Sequence, residues 1–117
     1  MGISSKAKLK TAVDLMRNAS VGTMPVVDGE KLVGVLDEQP LLEYAKKNGD
    51  AISANVVGDF MEKPFFITAS TSVDEAMDYV IARKVQRVPV VDTAANMNCI
   101  GMVSATEILN FKLKEKN

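Results

Sequence analysis

The chain meets its own pattern when residues 3–28 are laid over residues 67–92, a constant shift of 64 places. Ile3 falls on Ile67, Ala12 on Ala76, Asp14 on Asp78 and Val21 on Val85, and PVVD at 25–28 falls on PVVD at 89–92. Beyond it the shift grows to 67, placing Gly34 on Gly101, because the second copy has three more residues between its two apolar runs. A self-similar chain of 117 residues is constrained to fold as two copies of one small supersecondary unit. Each copy is too short to bury an apolar face well by itself, so the repeat predicts a pseudo-twofold pair sharing one core.

Within each copy the patterns follow the same order. Leu9, Ala12, Val13 and Met16, and then Val73, Ala76, Met77 and Val80, recur at helical spacing and predict an amphipathic helix in each copy. Ser72 and Glu75 form an S-x-x-E capping box at the start of the second of these helices; Lys8 and Thr11 give the first copy none. Next come two β-rich runs, VGTMPVV and KLVGVL, joined by Asp28-Gly29, a dipeptide suited to the φ > 0 positions of a tight hairpin. QRVPVV and NCIGMV repeat them around a longer turn from Asp92 to Asn98. A second helix follows each hairpin, from Pro40 to about Lys47 and from Ser104 to about Lys114. FFIT supplies a strand ahead of the second copy's first helix. The expected fold class is α+β, sandwich-like, with two β-α-β-β-α repeats: 1–48, a connector at 49–63, and 64–117.

Composition removes several function classes. Fourteen basic against fifteen acidic residues leave a net charge of -1, which argues against a nucleic-acid partner and against strong attraction to a membrane. No apolar run approaches the ~18 residues of a membrane span. Cys99 is the only cysteine, so no disulfide closes within the chain, and a reducing, cytoplasmic setting is expected. The absence of histidine removes Ser-His-Asp, Cys-His and His-metal chemistry together, and no enzyme activity and no metal site are expected. Cys99, with no histidine or nearby base to lower its pKa, reads as a small packed side chain, and Met16, Met77 and Met102 read as apolar packing.

Taken in order, VGDFM, ITASTSVDEAMDYV, VQRVPVVD and IGMVSATEIL in the second copy, with LKTAVDLM and MPVVDGEKLVGVL in the first, resemble a tandem pair of CBS domains, the modules named after cystathionine β-synthase. The resemblance spans nearly the whole chain. The first copy departs from it at the front: with Phe65-Phe66 set on Met1-Gly2, most of its opening strand and the preceding D-x-M segment lie ahead of residue 1. The chain is then an excised piece, or another segment completes that edge. The resemblance implies a regulatory module that binds adenosine-containing ligands in clefts between the repeats, pairs into flat homodimers, and sits beside an enzyme, channel or transporter domain.

Pockets of that family carry a Gly-x-x-[Ser/Thr]-x-x-Asp signature, and Gly101-Met102-Val103-Ser104-Ala105-Thr106-Glu107 matches it except at the last position. Two readings stand. Ser104 opens a helix whose N–H groups and positive dipole end favour a phosphate, while the acid one turn on accepts the hydroxyls of a ribose. Alternatively Ser104 and Glu107 form a capping box and satisfy each other's backbone donors. Glu in place of Asp weighs against the ligand, since the additional methylene costs rotamer entropy to fix. In the first copy, Asp37 stands where the hydroxyl belongs and Pro40 where the acid belongs, so that site reads as ordinary helix initiation.

Further pocket walls in the family come from the residues before Pro-Val and from the strand entering the first helix. If the facing repeat supplies them, they are Ser4, Ser5, Thr23 and Met24; otherwise they are Thr68, Gln86 and Arg87, of which Arg87 alone is basic. It reads either as a phosphate partner or as a solvated surface arginine. The expected function is therefore a sensor of AMP, ADP, ATP or an S-adenosylmethionine-like ligand with one working cleft, requiring no cofactor. The competing expectation is a ligand-free dimerisation or partner-docking module.

Overall fold

In each half of the chain, helix, strand, strand and helix follow one another at the shifts read from the repeat. The computed structural model describes residues 2–49 and 54–115; connector residues 50–53 and the last two residues of the terminal KLKEKN lie outside the described residues. The chain divides into two compact units, Met1–Pro64 and Phe65–Asn117. The first contains α1 (Leu9–Ala19), β1 (Thr23–Asp28), β2 (Lys31–Asp37) and α2 (Glu38–Asn48). The second contains β3 (Ile67–Thr68), α3 (Val73–Arg83), β4 (Arg87–Val91), β5 (Cys99–Ser104) and α4 (Ala105–Glu115).

In the first unit β1 and β2 are antiparallel with Thr23 opposite Asp37, and in the second β4 and β5 place Arg87 opposite Ser104. Each hairpin has a register slip between the two valines of its PVVD, at Val26/Val27 and at Val90/Val91. Ser20 and Lys84, the residues that end α1 and α3, both take left-handed φ, 55° and 57°. Such agreement in bulge and cap follows from the sequence repeat, because identical local constraints select identical backbone wells. The opening strand differs. In the second unit β3 lies parallel to β4, whereas the described residues of the first unit show a single parallel bridge, from Ile3 to Val26.

The hairpin turn takes its positive φ at Gly29 (64°) alone, and Asp28 instead ends β1. α2 starts two residues earlier than the sequence suggests, which puts Pro40 in its first turn, where a missing N–H breaks no helical bond. α3 starts on the expected box: the Glu75 N–H donates to Ser72 Oγ at 3.1 Å and the Ser72 N–H to the Glu75 carboxylate at 3.0 Å. α1 has no side-chain cap, and its Leu9 N–H is taken by the Asn55 carbonyl at 2.9 Å.

That bond belongs to a segment the sequence leaves as connector. Residues 55–62, with a 3-10 turn at Val57–Asp59, lie along the first unit. The Val57 N–H donates to the Ala7 carbonyl, the Gly58 N–H to the Ser5 carbonyl, and Glu62 exchanges two backbone bonds with Val35 at 2.8 and 3.1 Å. Val57 is fully buried in one cluster with Leu9, Ala12, Val26, Leu36 and Leu41, each Val or Leu side chain worth about 1.5–3 kcal/mol of transfer free energy.

Candidate functional site

β5 ends at Ser104 and α4 begins at Ala105, so the matched signature straddles a strand-to-helix corner. The Glu107 N–H donates to Ser104 Oγ at 3.1 Å, and the Ser104 N–H donates to Glu107 Oε1 at 3.0 Å. The capping box is therefore formed, and both its bonds are exposed to solvent. The Ala105 N–H goes elsewhere, to the Gln86 carbonyl at 2.8 Å, a bond the first unit repeats from Glu38 to Gly22 at 2.9 Å. Of the four N–H groups from Ser104 to Glu107, that of Thr106 is left at the positive end of α4.

Around this corner the second unit brings together much of the expected set. Arg87 is the cross-strand partner of Ser104, is half-buried, and makes no ion pair among the described residues. Gly101, three residues up β5, has open space beside it: a Cβ there would meet nothing within 4 Å. The Thr68 hydroxyl is tied down, 3.1 and 3.3 Å from the hydroxyls of Ser70 and Thr71, while Gln86 is exposed and holds the Ala105 N–H through its backbone carbonyl.

The candidates in the first unit carry structural duties. Ser5 donates its hydroxyl at 2.6 Å and its N–H at 2.9 Å to the Asp28 carboxylate, and Ser4 Oγ adds a bond at 3.2 Å. These donors, the Ser5 hydroxyl first and then its N–H, hold the Asp28 carboxyl below the usual carboxylate range. Met24 pairs with Leu36 and packs against the first unit's core. Thr23 Oγ1 reaches Asp37 only at 3.5 Å, the outer limit of a hydrogen bond. Asp37 is the N-cap of α2 without a side-chain cap bond, and Gly34 is closed off, since a Cβ there would lie 2.7 Å from Met61 Sδ and 2.8 Å from the Glu62 carbonyl oxygen.

Sequence reasoning missed the Ser4–Ser5–Asp28 cluster. Its signal was an asymmetry between the copies: Ser4 and Ser5 face Thr68 and Ala69 in the repeat. With no serine at 69, Asp92 turns to its own loop and accepts the N–H groups of Thr93 (2.6 Å) and Asn98 (3.0 Å), which lower its carboxyl pKa.

A family model described as the CBS domain matches residues 2–46 and 57–114. Among curated proteins, the chain is 28% identical over 107 residues to an inosine-5'-monophosphate dehydrogenase of Thermoplasma acidophilum, covering 92% of this chain and 20% of that protein. It is 30% identical over 95 residues to the uncharacterized protein YlbB of Bacillus subtilis, covering 80% of this chain and 62% of that one. The chain thus spans about a fifth of the length of the dehydrogenase it matches. Among solved structures, the CBS-pair protein CBSX2 of Arabidopsis thaliana is 26% identical with a TM-score of 0.83, covering 97% of this chain and 86% of that chain. A structure of CBSX2 in complex with AMP is 28% identical with a TM-score of 0.82, covering 100% and 90%.

Proposed function

The chain belongs to the CBS-domain family, and from that premise we propose that its second repeat senses an adenosine-containing ligand, AMP, ADP, ATP or S-adenosylmethionine, at Ser104 and Glu107. A CBS pair is a regulatory module, and the chain is not itself an enzyme. The observation that carries the reading is the solvent-exposed Ser104–Glu107 box at the start of α4, with Arg87 directly across the strand pair. The AMP complex of CBSX2 supports the ligand class.

The chemistry is an exchange of partners. A phosphate takes the Thr106 N–H, the Ser104 hydroxyl and the Arg87 guanidinium, all donors, at the positive end of a helix dipole. Glu107 leaves the Ser104 N–H and accepts the two hydroxyls of a ribose. Gly101 leaves room beside β5 for the ligand, and Ala105 keeps the helix start anchored through Gln86. The first repeat's counterpart is inactive, because Asp37 repels a phosphate and Pro40 supplies no carboxylate.

Binding changes the behaviour of a homodimer, or of an attached enzyme or transporter domain, by as much as the ligand's affinity differs between their states. The setting proposed is cytoplasmic; among the described residues no helix is long and apolar enough to cross a membrane. Calorimetric titration of the wild type and Glu107→Ala with the four ligands tests the reading. Saturable heat that Glu107→Ala removes supports it, and no heat with any of them at millimolar concentration refutes it.

A second reading, ligand-independent assembly, is favoured by the completed box together with the exposure of Leu109, Phe111 and Leu113 on α4. It predicts a dimer by light scattering that nucleotides leave unchanged.

A further inference from the structure

We propose that Asn48, followed by Gly49 at the end of α2, is a site of spontaneous deamidation to aspartate and isoaspartate, and that the reaction loosens the hold of α2 on residues 55–62. This inference is independent of the nucleotide site. Of the chain's asparagines only Asn48 precedes a glycine, the residue whose missing side chain least hinders attack by its own backbone nitrogen on the preceding side-chain carbonyl. Asn48 and Gly49 are both exposed, so water and hydroxide reach them. Asp28-Gly29 is the other sequence that could close such a ring. There, three hydrogen bonds from Ser4 and Ser5 keep the Asp28 carboxyl ionised, and a carboxylate resists a nucleophile.

The step needs no oxidant, metal or partner. Hydroxide takes the Gly49 N–H proton, the nitrogen bonds to Asn48 Cγ, the Cγ–Nδ2 bond breaks, and ammonia leaves with a proton from water. A five-membered imide results. Water then opens it at either carbonyl, restoring the main chain as aspartate or rerouting it through the side chain as isoaspartate. One amide and one water are consumed, and one carboxylic acid and one ammonia are formed.

The fold sets how fast this runs. In α2 the Gly49 N–H donates to the Ala45 carbonyl and Asn48 Nδ2 donates to the Tyr44 carbonyl at 3.1 Å, so nucleophile and leaving group are both held. Gly49 ends the helix at φ 56°, and only the last turn has to open for the ring to close. Tyr44 lies one turn back from Asn48, where α2 grips the segment 55–62. Its ring meets Phe60 edge to face at 4.7 Å, and its hydroxyl donates to Asn55 Oδ1 at 3.4 Å. Either product removes the donor to the Tyr44 carbonyl and puts a negative charge at the negative end of the helix dipole. Isoaspartate also lengthens the main chain by one atom, which puts the Gly49 N–H out of register with the Ala45 carbonyl. A change at the exposed helix end thus reaches the Tyr44 contacts.

In the test the full chain is incubated at mildly alkaline pH, and peptide mass mapping reads the conversion of amide to acid at each asparagine, with isoaspartyl methyltransferase labelling of the digest. Expected is conversion at Asn48 ahead of every other asparagine, about tenfold slower than in the amidated peptide EYAKKNG of residues 43–49, a factor that two hydrogen bonds can supply. Phe60→Leu, which removes the ring against Tyr44, should speed it about threefold. Asn48→Asp, made directly, should speed amide exchange at Phe60 and Met61, whose N–H groups donate to the Val57 carbonyl, while Asn48→Gln should leave both exchange and mass unchanged. The proposal is overturned by a chain that stays intact at Asn48 while the peptide converts, by another asparagine converting first, or by chain and peptide converting at the same rate. A rate that Phe60→Leu leaves unchanged, or exchange at Phe60 and Met61 that Asn48→Asp leaves unchanged, breaks the link to Tyr44 and overturns it too.

Discussion

Alanine in place of Gly34 or of Gly101 applies the same change at two positions the repeat makes equivalent, and the structure predicts opposite outcomes. At Gly34 the new Cβ would lie 2.7 Å from Met61 Sδ and 2.8 Å from the Glu62 carbonyl oxygen. The thioether can rotate aside. The carbonyl cannot move freely, because it accepts the Val35 N–H at 3.1 Å and its own residue donates back at 2.8 Å. Overpacking of this kind costs about 1–3 kcal/mol, and each disrupted backbone bond about 0.5–1.5 kcal/mol more. The lower entropy of an unfolded alanine chain returns only about 0.4–1 kcal/mol. At Gly101 that gain stands alone, since nothing lies within 4 Å. The two variants should therefore differ by about 2–3 kcal/mol, which for a chain of this size is on the order of 10 °C in Tm, with Gly101→Ala at or above the wild type. Thermal unfolding followed by circular dichroism, with urea titrations as a second measure, reads this directly. Equal melting temperatures for the two variants would refute the claim that residues 61–62 cover one copy and leave the other open.

Ser72→Ala removes a formed N-cap on α3 and should lower stability by about 1 kcal/mol, measured by urea unfolding, whereas Lys8→Ala at the uncapped counterpart should change little. Lys84→Gly relieves a non-glycine residue at φ 57° and should stabilise by about 1 kcal/mol in the same assay. Asp28 has its folded pKa lowered by Ser5, so its contribution is present above the unfolded value of about 3.9 and is lost as pH falls through the lower folded value. Below about pH 4 the wild type should therefore lose stability more steeply with falling pH than Asp28→Asn, as acid unfolding curves would show.

The elements and their pairing were legible because they rest on local rules: helical spacing repeated in Leu9–Met16 and Val73–Val80, a glycine turn at 29 in the first copy, and a capping box at Ser72 in the second. The corner at Ser104 was legible as a cap, and the structure forms that cap. What the sequence hid were contacts between distant positions. Val57 and Met61 read as connector because no periodicity marks a segment whose partners, Leu9, Leu36 and Gly34, lie far along the chain. Ser5 read as a pocket wall, yet its hydroxyl and N–H are held by Asp28, 23 residues away. Helix boundaries moved by the usual residue or two, as at Pro40, where a proline inside the first turn imitates a start.

The central claim is that Ser104 and Glu107 exchange their mutual bonds for a ligand, and amide chemical shifts on adding AMP test it most directly. The account predicts saturable changes at the Ser104, Thr106 and Glu107 N–H groups, absent in Glu107→Ala, with none at Glu38 or Gln39 of the first repeat. Unchanged amides at 104–107 in millimolar AMP, ADP, ATP and S-adenosylmethionine would contradict it, as would changes confined to the first repeat.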